Sequence, residues 1–297
     1  MINNIDDYLK QLRKELAGCD RAIIQDALSD AGEHLKNSVE SLHSENPDIS
    51  DSEALGRIIE GYGTPAEIAA IYKEMESRIS PSLAPEKKAG NRSLLAAFFG
   101  VVIDPRTYGA FFYLIFSLAL GIIYFTWAVT GLSLSLGLLI LIFGILIFGI
   151  FILSVRGISL MEGRLVEALL GIRMPRRTFF STTERGLWPK FKSVISDQYT
   201  WFALIYMLLM LPLGIFYFSL FVSLIATSAW LVVEPILQII YGASSLHIDY
   251  HIYYYTPAWL IPFSIIGGML LFVITLHLAK LIGKLHGNLA KVMLVRG

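Results

Sequence analysis

"LALGIIYF" at Leu118–Phe125 and "LPLGIFYF" at Leu211–Phe218 are nearly one apolar phrase written twice, 93 residues apart. Slid by that offset, Val101–Gly137 falls on Val194–Trp230 with 13 of 37 positions identical. Asp104/Asp197, Thr107/Thr200, Tyr113/Tyr206, Gly121/Gly214 and Tyr124/Tyr217 come into register. A second register, offset by 124, lays Gly144 on Gly268, Phe148 on Phe272 and Gly163 on Gly287. The change of offset places an insertion of 31 residues late in the second copy.

Each copy carries two apolar runs, about 107–130 and 133–155 in the first, 200–228 and 257–279 in the second. Runs of twenty or more apolar residues are long enough to cross a hydrocarbon core of ~30 Å. The sequence thus predicts four membrane spans, arranged as two parallel two-helix repeats about an axis along the membrane normal. Mean hydropathy of +0.61 and a hydrophobic fraction of 55% agree with a membrane protein. "TGLSLS" reads as the turn between the first two spans, and 231–258 as an insertion between the last two.

Charge gives the orientation. The connection between the second and third spans carries Arg156, Arg164, Arg173, Arg176, Arg177, Arg185, Lys190 and Lys192. Trp230–Ala258 has no Lys or Arg, and Lys280, Lys284, Lys291 and Arg296 follow the last run. The excess of basic residues on cytoplasmic loops then predicts both termini inside, in the cell membrane. Leu94, Leu95, Phe98, Phe99 and Val102 before the first unit, and Leu187, Trp188, Phe191 and Val194 before the second, read as interfacial elbows. The inner ends, "ISLMEGRLVEALLGI" and "KLIGKLHGNLAKVML", are amphipathic.

Residues 1–78 are different. They hold 16 Asp/Glu against 8 Lys/Arg, net −8, and the rest of the chain is net +8. The acidic head either rests on the basic part or merely stays soluble beside it. Its apolar residues recur at helical spacing: Ile5, Tyr8, Leu9, Leu12 and Leu16, then Ile24, Leu28, Ala31, Leu35 and Leu42. Asp20 is placed to cap the second helix, and Ser50 with Glu53 forms a capping box for the third. In "GYGTPAEIA", Gly61 or Gly63 ends that helix, Thr64 caps the next, Pro65 fills its first turn and Glu67 completes a second box. Cys19 is the sole cysteine, and 79–92, rich in Pro, Ser and charge, reads as a linker to the membrane part, 93–297.

"YLKQLRKEL", "LSDAGEHL" and "GYGTPAEIA" resemble the HAAS domain, an α-helical signalling domain associated with helix-turn-helix regulators. The resemblance suggests Asp30, His34, Gly63 and Pro65 as a signalling surface. As bare residues, Asp30 and His34 are equally an i, i+4 pair on one helix face. "LALGIIYFTWAVTGLSLSLGLLIL", "MEGRLVEALLGIRMP" and "LPLGIFYF" resemble the "putative sensor" membrane domain of prokaryotic regulators. Together the two resemblances imply a signal transducer working with a PadR-like regulator and making no direct nucleic-acid contact. A homo-oligomer is compatible with them.

Motifs for a P-loop, a nucleophile elbow, a zinc-protease helix or a cysteine cluster are missing, so the sequence suggests no enzyme, cofactor or metal site. The repeated seam is the first candidate for a ligand: Tyr113, Gly121, Tyr124, Tyr206, Pro212, Gly214 and Tyr217, with Pro212 against Ala119 as the point of movement. Glu234 and His277 read as interfacial residues in contact with water. In the insertion, an extended strand would align His247, Asp249, His251 and Tyr253 on one face as an outer lid, a ligand-recognition surface or, more weakly, a metal site. The function expected is sensing of a lipid, amphiphile or envelope cue; a small permease or lipid transporter and a non-sensing scaffold are the alternatives.

Overall fold

A computed structural model describes residues 2, 4–78, 94–138, 142–175, 197–241, 247–248, 252–253 and 256–295. Its fold is α-helical: a small helical head followed by four apolar helices long enough to cross a membrane. The expected linker 79–92, the elbow at Leu187–Val194 and the bases Arg176 to Lys192 lie outside the described residues.

The head consists of α1 (Ile5–Glu15), α2 (Arg21–Glu45), α3 (Asp51–Tyr62) and α4 (Pro65–Arg78). Side chains near the helix starts take up backbone donors that would otherwise lack partners. Asn4 accepts from Asp7 N–H, Asp20 from Ala22 N–H and Ser50 from Glu53 N–H. At α4 the box is reciprocal: Thr64 N–H donates to Glu67 Oε2 at 2.8 Å, and Glu67 N–H to Thr64 Oγ1 at 3.4 Å. Gly63 ends α3 at φ +111°, a backbone conformation that disfavours any side chain. Tyr8, Leu12, Leu16, Leu35 and Leu55 are almost wholly buried where the helices meet. At roughly 1.5–3 kcal/mol per large apolar side chain, this cluster dominates the head's stability.

The membrane helices follow a short elbow, α5 (Leu94–Phe99) with a 3₁₀ turn at Gly100–Val102. They are α6 (Pro105–Leu138), α7 (Ile142–Leu170), α8 (Gln198–Tyr241) and α9 (Ile261–Leu294). At 1.5 Å per residue, 34 residues make ~51 Å, well beyond a ~30 Å core. The helices exceed the expected runs in three places. "TGLSLS" belongs to α6 and is not a turn: the helix runs on through it to Leu138. Gly131 in that stretch admits the Phe151 ring of α7, where a Cβ would fall 2.2 Å from ring carbons. Residues 231–241, expected in the insertion, are the last turns of α8, which continues through Pro212 and Pro235. The amphipathic inner segments are continuous with α7 and α9.

The chain divides into two compact units. The first comprises Met1–Ala84, Thr126–Met207 and Gly287–Gly297. It contains the head, the end of α6, all of α7, the start of α8 and the end of α9. Trp127 Nε1 donates to Ser154 Oγ here, joining α6 to α7. The second comprises Pro85–Phe125 and Leu208–His286. In it the elbow packs on α9 through Val101, Phe98, Val273 and Leu276.

Candidate functional site

Within the head, Asp30 and His34 each contact a second helix. Tyr72 of α4 donates to Asp30 Oδ2 at 2.7 Å, and the His34 ring stacks on Tyr62 of α3 with centroids 4.3 Å apart. Burial, followed by the Asp30 carboxylate, pushes the Tyr72 phenol above its ordinary range. Gly63 offers its carbonyl to Tyr8 Oη at 2.9 Å, and Pro65 is buried.

The head meets membrane-helix ends in the first unit. Asp20, the cap of α2, forms an ion pair with Lys291 in the last turn of α9. Each charge suits the helix end that carries it: carboxylate at an N-terminus, ammonium at a C-terminus. Nearby, Arg156 of α7 holds the start of α8. Its Nη2 donates to Asp197 Oδ2 at 2.7 Å and to Thr200 Oγ1 at 3.0 Å. Asp197 also caps α8 by accepting from Tyr199 N–H. This ion pair is little exposed, 11% for Arg156 and 17% for Asp197. It lines a cleft to which the head contributes Gln25 and the end of α9 contributes Leu294.

Deeper in the same unit Tyr206 Oη donates to Glu162 Oε1 at 2.7 Å, both almost fully buried. The second unit holds a matching pair and a tyrosine more: Tyr113 Oη lies 2.8 Å from His286 Nε2, and Tyr217 Oη 3.3 Å from Nδ1. A neutral imidazole has one donor and one acceptor nitrogen, and two hydroxyls can satisfy either tautomer. Asp104 pairs with Lys280 at 2.6 Å. Burial pushes the Asp104 carboxyl up, but Lys280 and Arg106 outweigh it and hold it below the usual carboxylate range.

These contacts cross between the sequence copies in the same registers. Tyr113 and Tyr206 differ by 93, and their partners Glu162 and His286 by 124; so do Asp104 and Asp197 with Arg156 and Lys280. The glycines are reciprocal too. A Cβ on Gly121 would sit 2.6 Å from Met210 O, and one on Gly214 2.6 Å from Ser117 O. The seam at these two positions is filled by backbone against backbone. Tyr124 is buried, and Pro212 interrupts the α8 ladder by withholding an N–H from the carbonyl four residues earlier.

The two interfacial candidates have protein partners. Glu234 is buried and accepts from Thr256 Oγ1 at 3.0 Å, which corrects its reading as a water-contacting residue. His277 Nε2 bonds the Phe98 carbonyl at 2.9 Å and stacks on the Phe98 ring. In the insertion, His247–Ile248 and Ile252–Tyr253 pair antiparallel, so His247 faces Tyr253 across a ladder and the single extended strand is not formed. Asp249 and His251 lie outside the described residues.

Glu162, His286, Arg156 and Lys280 were not among the sequence candidates, although the 124-residue register pairs them. An identity count passes over Glu opposite His and Arg opposite Lys. A count of polar positions in otherwise apolar helices would have found all four.

Two family models match the chain. One described as "Putative sensor" covers residues 113–294, and the HAAS model covers residues 7–71. No curated protein and no solved structure matches. The first of these models spans more than half of the chain, which therefore belongs to the Putative sensor family, with a HAAS domain ahead of the matched region.

Proposed function

We propose that the protein senses a lipid, amphiphile or envelope cue with its membrane helices and reports it through the HAAS domain to a cytoplasmic regulator of the PadR-like class. It would sit in the cell membrane with both termini cytoplasmic. The observation that carries this reading is the seat of α2 on the end of α9 through Asp20 and Lys291. A shift of α9 in the membrane moves the side chain that holds the head. One partly exposed ion pair is worth about 1 kcal/mol, a bias of roughly fivefold, so a useful switch must open more than this contact. Ala22 and Ile23, buried but outside the head's own core, are next in line.

The test uses a transcriptional reporter of the partner regulator. Asp20→Lys and Lys291→Asp should each drive the output to the released level, and the exchanged pair should restore regulation. Deleting residues 1–78 should abolish cue dependence; unchanged output in the deletion contradicts the proposal. The permease reading draws on a different observation, the buried Glu162 and His286 in membrane-length helices. Proteoliposome flux that is lost in Glu162→Gln would favour it.

A further inference from the structure

The cleft beside the head has a composition that selects a ligand class. One wall is a fixed cation against a fixed anion, Arg156 on Asp197, with Thr200 alongside. Apolar side chains, Leu160, Met174 and Leu294 among them, line the same cleft. Both charges are largely withdrawn from water, so each interacts strongly with any charge brought in. A head of one sign would be attracted by one member of the pair and repelled by the other. A head carrying both signs can meet both, phosphate towards the guanidinium and ammonium towards the carboxylate, while its first methylenes cover the apolar side.

We infer that this cleft binds an amphiphile with a zwitterionic phosphate–ammonium head, and that occupancy is read by the HAAS domain directly through Gln25. The inference rests on the proposed sensing role and names its site. The cleft combines groups from α7, the start of α8, the end of α9 and α2 of the head. A bound head there touches membrane helices and signalling domain together. The seam, closed at Gly121 and Gly214, needs no ligand to do its packing work.

The experiment is photolabelling of the purified full chain in detergent with a photoactivatable lysophosphatidylethanolamine. Labelled peptides should fall in 156–163 and 197–203, and unlabelled lysophosphatidylethanolamine should compete about tenfold better than anionic lysophosphatidylglycerol, ~1.4 kcal/mol. Free phosphoethanolamine distinguishes the sources of such a head: competition only by the lysolipid assigns a membrane amphiphile, and equal competition assigns a soluble zwitterion and overturns the amphiphile. Ala203→Leu fills the cleft without removing its charges and should cut labelling at least fivefold. Arg156→Ala should do the same where it folds, and Lys280→Ala, in the second unit, should leave labelling unchanged. Equal or better competition by lysophosphatidylglycerol, or full labelling of Ala203→Leu, overturns the assignment. Labelling lost while the Asp20–Lys291 exchange still rescues the reporter removes only the cleft; labelling retained while the exchange fails removes only the transducer.

Discussion

Replacing Gly121 with alanine should separate two helices that now touch through their backbones. The new Cβ would lie 2.6 Å from Met210 O and 2.9 Å from Leu211 Cα. Neither is the end of a flexible side chain, so the backbones must part by roughly 0.9 Å to reach an ordinary ~3.5 Å contact. A gap of that size forfeits a quarter or more of each dispersion well across it. A large side chain with ~50 contacts of ~0.15 kcal/mol loses about 2 kcal/mol this way, within the ~1–3 kcal/mol usual for overpacking. Gly214→Ala meets Ser117 O at 2.6 Å and Leu118 Cα at 2.8 Å, and should cost the same. Because one displacement relieves both clashes, the double variant should cost little more than either single, a coupling of about 1–2 kcal/mol. Gly137→Ala, with nothing within 4 Å of the new Cβ, is the control and should be neutral or stabilising by up to about 1 kcal/mol. The assay is unfolding of the purified chain in one detergent, followed by helical circular dichroism. Equal midpoints for Gly121→Ala and Gly137→Ala would mean that the two backbones do not touch at Gly121.

Three further outcomes follow from the site geometry. Tyr72→Phe removes the donor to Asp30 and should destabilise the isolated head by about 1 kcal/mol in urea titration. Tyr206→Phe and Tyr113→Phe each take one hydrogen bond from a buried ionisable group and should cost ~1–3 kcal/mol apiece, read by the same detergent assay. Glu67 is held below the usual carboxylate range by the backbone N–H and then the hydroxyl of Thr64. A depressed folded value means the box contributes fully above the unfolded pKa, near 4.3, and loses its contribution as pH falls through the folded value. Glu67→Ala should therefore flatten this acid limb of the head's stability profile, followed by circular dichroism between pH 6 and 2.

The head was legible residue by residue because its caps are chemical signals: Asp20, Ser50–Glu53, Gly63 and Thr64–Glu67 each specify a local backbone hydrogen bond. The membrane half was legible in span number but not in helix ends. "TGLSLS" contains the residues of a turn, yet α6 runs through it, with Gly131 packed against the Phe151 ring of α7. The last turns of α8 were read as insertion, and they carry Glu234, whose carboxylate is satisfied by Thr256. The offset of 93 drew attention to Tyr113 and Tyr206 but could not name their partners, because a periodic match does not say which helices face one another. Arg156 looked like one more loop base; that it clamps Asp197 and Thr200 depends on the fold bringing α7 to the start of α8.

If membrane helices hold the HAAS domain through α2 and α9 and release it on signal, the contact between Asp20 and Lys291 opens when the signal arrives. Cys19, the only cysteine, precedes Asp20, and Val292, 62% exposed, follows Lys291. Spin labels on Cys19 and on Val292→Cys in the full chain, reconstituted in lipid, report that contact through their dipolar coupling. One short, narrow distance is predicted at rest, with a longer and broader distribution in Asp20→Lys and on addition of lysophosphatidylethanolamine. A broad distribution at rest, or one that neither the charge reversal nor the amphiphile alters, would mean that α9 does not hold the head.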